Sequence, residues 1–198
     1  MKSLEYVLVQ DCICNLCNGG IYVKKKIIFI SVILLSIIGY YFIYSISSNE
    51  TKLAQGVKNH FNRRRYEQYK IDSVEVKKSL EIGNVKTVLI LVDKKFIGQT
   101  VLEKGLNNRF RVLDAFYGGS IFNAEVIKVK DKNYLILSGK NSSNIKYIEV
   151  IYDKKSNRVD VQEGDYFMTY LSVPNYIQSS IPVDFKFYDK NNTEISMH

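Results

Sequence analysis

The chain's 198 residues suffice for one folded domain and a targeting segment, and with 46% apolar residues it does not have the composition of a disordered protein. Its formal charge of +8 is a modest excess that identifies no partner by itself. No P-loop, dinucleotide fingerprint or calcium-loop spacing occurs, which removes the common nucleotide-binding and EF-hand classes.

Residues 1–22 hold all three cysteines, Cys12, Cys14 and Cys17. As a metal site C-x-C-x-x-C is incomplete, since structural zinc takes four ligands and no further cysteine or nearby histidine supplies the last. The preferred reading is a translated leader. Gly19-Gly20 can be encoded as GGA-GGN, a ribosome-binding sequence, and Val23 can be a GUG start two codons beyond Tyr22's neighbour Ile21. On that reading residues 1–22 are mistranslated leader sequence and the protein itself begins at Val23. A cytosolic tail and a metal site follow in that order.

From Ile27 to Ser47 runs IIFISVILLSIIGYYFIYSIS, free of charge and proline. About 18 or more such residues cross a ~30 Å hydrocarbon core, so residues 23–48 are expected to be an uncleaved transmembrane signal-anchor. Tyr40, Tyr41 and Tyr44 suit its outer interface, and Lys24, Lys25 and Lys26 keep its N-terminus in the cytoplasm. The remainder is then extracellular, tethered at a cell membrane, and nucleic acid is a poor partner there. That exterior part has no cysteine and cannot use disulfides.

Leu53, Val57 and Phe61 recur every four residues and predict an amphipathic helix from about Thr51 to Tyr66. Asn49 or Thr51 is its candidate cap, and Gly56 weakens it by about 1 kcal/mol relative to alanine. Strands follow at Val74–Ile82, Val88–Val92, Phe96–Glu103 and Phe110–Tyr117, with turns at Gly83-Asn84 and Gly105–Asn108. A helix followed by a four-strand meander over 49–118 looks like the cystatin-like or NTF2-like layout. Beyond Gly118-Gly119, residues 119–198 predict strands at Phe122–Lys130, Tyr134–Ser138, Ile145–Tyr152, Arg158–Val161, Tyr166–Val173 and Val183–Tyr188. Their short, even spacing favours a small antiparallel β-sandwich, so the fold class is α+β.

The stretches KGLNNRFRVLDAFYGGS, YLILSGKN, IKYIEV and YFMTY, within Lys104–Tyr170, resemble uncharacterised single-pass envelope proteins of low-GC Gram-positive bacteria. The resemblance implies location and no catalytic residue.

Chemistry is sparse. His60 and His198 lack ligand spacing, no serine sits in G-x-S-x-G, and no metal or cofactor is expected. Among Asp114, Asp160, Glu163, Asp165 and Asp184, most fall at turns or outward positions. Asp114 is the exception, because it alternates with Phe110, Val112 and Phe116 and is expected to face inward. Arg63, Arg64 and Arg65 are the candidate binding residues, for a cell-wall polyanion or lipid headgroups. These features favour a non-enzymatic, membrane-tethered binding or assembly protein that engages a wall component or another envelope protein. The alternative is an envelope hydrolase with a carboxylate pair that includes Asp114.

Overall fold

The computed structural model describes residues 27–63, 70–105, 108–177 and 183–196. The chain divides into two compact units, Met1–Ile43 and Tyr44–His198. In the first, residues 27–43 form helix α1. Its serines are satisfied within the helix, Ser31 Oγ donating to the Ile27 carbonyl at 2.9 Å and Ser36 Oγ to that of Val32 at 2.8 Å. At 1.5 Å per residue α1 rises about 25 Å. Among the described residues no helix is long and apolar enough to cross a membrane. The cysteines and Lys24–Lys26 lie outside the described residues.

The apolar run expected to stay helical to Ser47 leaves the helix at residue 43, because its last part has other partners. Ile46 forms an antiparallel bridge with Phe110, each amide donating to the other's carbonyl, at 3.1 and 2.8 Å. Tyr44 follows the last helical residue and has partners in the folded domain. Its hydroxyl donates to Glu103 at 2.9 Å, and the Arg111 guanidinium lies over its ring.

Helix α2, Glu50–Arg63, starts at Asn49, whose Oδ1 accepts the Lys52 amide at 3.3 Å. Glu50 in the first turn and Arg63 in the last suit the helix dipole. Leu53, Val57 and Phe61 are buried as their spacing predicts. Gly56 is explained by packing: a Cβ there would stand 3.0–3.1 Å from the side chain of Ile46, itself 7% exposed. The helix gives up propensity so that the segment before it can lie against it.

The rest is antiparallel sheet, and the molecule is of mixed α+β class. Strands β1 (Val74–Ile82), β2 (Val85–Val92), β3 (Phe96–Lys104) and β4 (Phe110–Gly118) form sheet A in the order β1-β2-β3-β4. Sheet B contains β5 (Phe122–Val129), β6 (Lys132–Lys140) and β9 (Tyr166–Val173) in the order β5-β6-β9. Sheet C orders β11 (Glu194–Ile195), β10 (Asp184–Tyr188), β7 (Tyr147–Tyr152) and β8 (Lys155–Asp160) as β11-β10-β7-β8.

Three apolar cores bind these layers. Leu53, Val57 and Phe61 of α2 pack with Val88, Ile90, Val92, Leu102 and Phe110 of sheet A. The other face of sheet A contributes Val85 and Val101 to a smaller core with Ile127, Val129 and Ile136 of sheet B. Sheet B turns Leu135, Leu137 and Phe167 towards Ile148, Val150 and Phe187 of sheet C. Burial of β2 on both faces follows from its continuous apolar run.

Turn chemistry places the strand ends. Asp153 and Lys154 both have positive φ, the two-residue type I′ pattern that joins β7 to β8 from Lys155 onward, three residues before the expected Arg158. Lys130 and Asp131 alone join β5 to β6, so β6 starts at Lys132 rather than Tyr134. β7 starts at Tyr147, later than expected, because the side chain of Asn141 takes the amide of Ile145 at 2.6 Å. The expected Gly105–Asn108 turn contains Leu106 and Asn107, which lie outside the described residues. β11 was not expected.

Gly56→Ala tests the Ile46 contact. Helix propensity alone favours alanine by about 1 kcal/mol; with Ile46 in place we expect thermal unfolding to show a loss of about 1 kcal/mol instead. Ile46→Ala removes the two Cγ atoms nearest the added Cβ, so in that background the same Gly56→Ala change should no longer destabilise. A stabilised single Gly56→Ala variant would contradict the packing described.

Candidate functional site

Where sheets A and B meet at the ends of β3 and β6, a cavity of about 160 Å³ opens to solvent. Each part of its wall has a local cause. The β2–β3 turn contributes Lys94 and Lys95, with Asp93 and Lys94 at φ 50° and 57° and the Lys95 amide donating to the Val92 carbonyl at 3.0 Å. Asp93 Oδ1 anchors this turn by accepting the amides of Asp72 and Ser73, both at 2.8 Å. Lys140, the last residue of β6, pairs in register with Tyr166, the first of β9, and both line the cavity. The link Gly119-Ser120-Ile121 crosses from sheet A to sheet B over the opening, and the Lys140 amide donates to the Ile121 carbonyl at 3.0 Å. Gly139 is required for that crossing, since a Cβ there would stand 2.5 Å from the same carbonyl oxygen. Leu91 and Ile97 add apolar wall.

The lining holds three lysines and no carboxylate. All three lysines are exposed, and none is in an ion pair among the described residues. Lys95 has only the face of Phe96, 5.2 Å from its nitrogen.

Side chains on one strand face recur every second residue. The next position along the same faces from Ile97, Ile121 and Lys140 is a polar layer of Gln99, Asn123 and Ser138. Gln99 and Ser138 are fully buried. Ser138 Oγ donates to Gln99 Oε1 at 2.6 Å, and Gln99 Nε2 donates to the carboxylate of Glu125, two residues beyond Asn123 on the same face of β5. Asn123 Nδ2 is buried with no acceptor among the described residues. Burial pushes the Glu125 carboxyl up to about 7; the charge of Asp114 adds to the rise and the Gln99 bond opposes it.

Asp114 does not face inward with Phe110 and Val112. The β3–β4 register shifts between Val101 and Leu102, so that Val101 pairs with Asp114 and Leu102 with Val112, leaving Leu113 as a bulge. Val112 and Ala115, not Asp114, then pack towards α2. Asp114 is exposed and its Oδ1 accepts the amide of Ala115 at 2.8 Å. Its charge reaches Glu125, but neither carboxylate lines the cavity.

Of the arginine triplet, Arg63 is exposed at the end of α2, while Arg64 and Arg65 lie outside the described residues. His60 lies edge-on to Phe61, and His198 lies outside the described residues. Among the described residues no group of three or more His, Cys, Asp or Glu gathers as metal ligands. The residues that sequence reasoning missed are Lys94, Lys95, Lys140, Gln99 and Glu125. One signal was available: Asp-Lys-Lys occurs at 93–95 and again at 153–155, marking two tight turns whose lysines have fixed positions. No family model, curated protein or solved structure matches this chain.

The raised Glu125 carboxyl makes stability depend on pH. Below the ordinary carboxylate range, near 4.5, folded and unfolded states both hold the proton. Between there and about 7 only the folded state holds it, so stability falls as pH rises through this window and the loss is complete above it. Allowing for partial solvent exposure, the loss is about 1–2 kcal/mol. Glu125→Gln keeps an acceptor for Gln99 and should remove this slope, so that urea midpoints at pH 5 and pH 8 converge relative to the wild type. An unchanged slope would place the titrating group elsewhere.

Proposed function

We propose that the chain is a membrane-anchored, non-enzymatic binding or assembly protein of the bacterial cell envelope, with its N-terminus cytoplasmic and residues 49–198 outside the cell. The observation that carries this reading is the surface of α1. Its large apolar side chains, from Ile27 to Ile43, are 44–80% exposed, and both serine hydroxyls are bonded to carbonyls of their own helix. An apolar surface of this extent is a poor fit to water, whereas a bilayer accepts it and requires polar groups to be satisfied internally. At about 25 Å, α1 as described is shorter than the ~30 Å hydrocarbon core, a mismatch that bilayer thinning and flanking residues absorb at fractions of a kcal/mol per Å. Lys24–Lys26 ahead of the helix give the orientation.

Residues 49–198 fit the helix-on-meander layout of cystatin-like and NTF2-like domains, continued by a small β-sandwich, a layout that fixes no activity by itself. The binding role is supported by a cationic, carboxylate-free cavity, together with the basic Arg63–Arg65 stretch. The hydrolase alternative has one observation in its favour, the influence of Asp114 on Glu125. Against it, Asp114 is turned to solvent and bonded to its own backbone. Hydrolysis of a wall polysaccharide by the purified protein, abolished by Asp114→Asn, would decide for the enzyme.

Alkaline phosphatase fused after His198 should be active in cells, and a fluorescent reporter that matures only in the cytoplasm should be dark at the same position. The protein should also stay with membranes through alkaline carbonate extraction. The opposite reporter pattern, or release by carbonate, overturns the anchored topology.

A further inference from the structure

We infer that the cavity ringed by Lys94, Lys95 and Lys140 is a binding site for the phosphate group of a small phosphate ester. The inference supplies a ligand class for the binding role proposed above and rests on that reading.

Charge comes first. Two lysines of a turn and one from a strand 45 positions later converge on one opening, and none has a counter-ion among the described residues. An anion at that opening would meet three positive charges and no carboxylate in the lining. Nearby carboxylates are engaged elsewhere. Asp93 holds the amides of Asp72 and Ser73, Glu75 is ion-paired with Lys77 at 2.6 Å and feels Lys94 only as a weaker, unbonded charge, and the charge of Asp165 also falls on Lys77. Glu125 lies four residues along β5 from the lining residue Ile121, about 13 Å at strand rise.

Shape and chemistry narrow the anion. An apolar cavity of ~150 Å³ holds one benzene ring, so about 160 Å³ admits a compact group of that order and excludes a folded peptide element. Lysine ammoniums act as separate point charges, and three around one opening can each meet a different oxygen of a phosphate group. Leu91, Ile97 and Ile121 give the carbon side of an ester an apolar wall, and Tyr166 brings a hydroxyl to the lining, whereas the Ser120 hydroxyl already donates to the Phe122 carbonyl at 2.6 Å. In the polar layer next along the strands, Asn123 Nδ2 is a buried donor still lacking an acceptor among the described residues.

The same chemistry is offered by a soluble or polymeric polyol phosphate and by a phosphatidylglycerol headgroup. Full-length protein in phosphatidylcholine nanodiscs is titrated calorimetrically with glycerol 1-phosphate, and with glycerol as the uncharged control. Saturable binding is expected for the phosphate alone, weakened about tenfold or more in Lys94→Gln/Lys95→Gln/Lys140→Gln. A second triple variant, Lys128→Gln/Lys132→Gln/Lys155→Gln, carries the same change of net charge and should bind as wild type. Thermal midpoints of both variants check the fold, and Lys140→Gln alone repeats the test if the first triple variant unfolds. Loss of the glycerol 1-phosphate signal in phosphatidylglycerol nanodiscs would assign the site to the lipid headgroup; its persistence would assign it to a soluble or wall-borne ester. Equal affinity in the two triple variants, or no saturation by about 10 mM, overturns the inference. Such a failure is distinct from failure of the anchored topology, which the reporter fusions read independently.

Discussion

A sheet that is apolar on both faces must be covered twice, and the rest of the domain follows from that requirement. β2 is buried along nearly its whole length, so sheet A cannot stand with one face in water. Helix α2 covers one face with the stripe Leu53, Val57 and Phe61. Sheet B covers the other and in doing so exposes its own second apolar face, which sheet C then closes. Each layer solves the burial problem of the one before. The series ends at sheet C, where strands such as β8 alternate largely exposed residues.

The boundary between sheets A and B is unlike the other two. Towards one end it is apolar, with Val85, Val129 and Ile136, and towards the other it carries Gln99, Ser138 and Glu125. Slipping one sheet past the other by a residue pair would strand the Gln99 amide against apolar neighbours, and an unpaired buried amide costs about 1–3 kcal/mol. The polar chain therefore fixes how the two sheets align. The lysine-ringed cavity lies at the open rim of this boundary, where neither core reaches.

Much of this was legible in the sequence where a single element carries its own signal. The spacing of Leu53, Val57 and Phe61 places the buried face of α2, and β9 occupies Tyr166–Val173 as its pattern predicts. Gly83-Asn84 marks a real turn between paired residues Ile82 and Val85. What escaped depends on partners distant in sequence. Leu113 has nothing unusual about it, yet as a bulge it reverses which neighbours face α2 and takes Asp114 out of the interior. Ile46 reads as the end of an apolar run until Phe110 is known to pair with it. Lys94 and Lys140 look like ordinary solvated lysines, and only the crossing of Gly119–Ile121 brings them to one opening. β11 is two residues long, too short for periodicity to register.

The bridge at Ile46 has a mechanical meaning as well. Any tension that enters the folded domain through residue 44 meets the two amide bonds between Ile46 and Phe110, and the Tyr44–Glu103 bond, before it reaches the first turn of α2. Ile46 is also seated against Gly56, so lifting it empties a packed site in the same movement. The domain is thus gripped by the edge of its largest sheet and not by the end of a helix that could fray turn by turn. Load is spread over a strand that pairs with β3 on both sides of the Leu113 bulge, and β3 pairs with β2 without a break. Pulled through residue 44, a domain built this way yields abruptly when that grip breaks, instead of lengthening gradually.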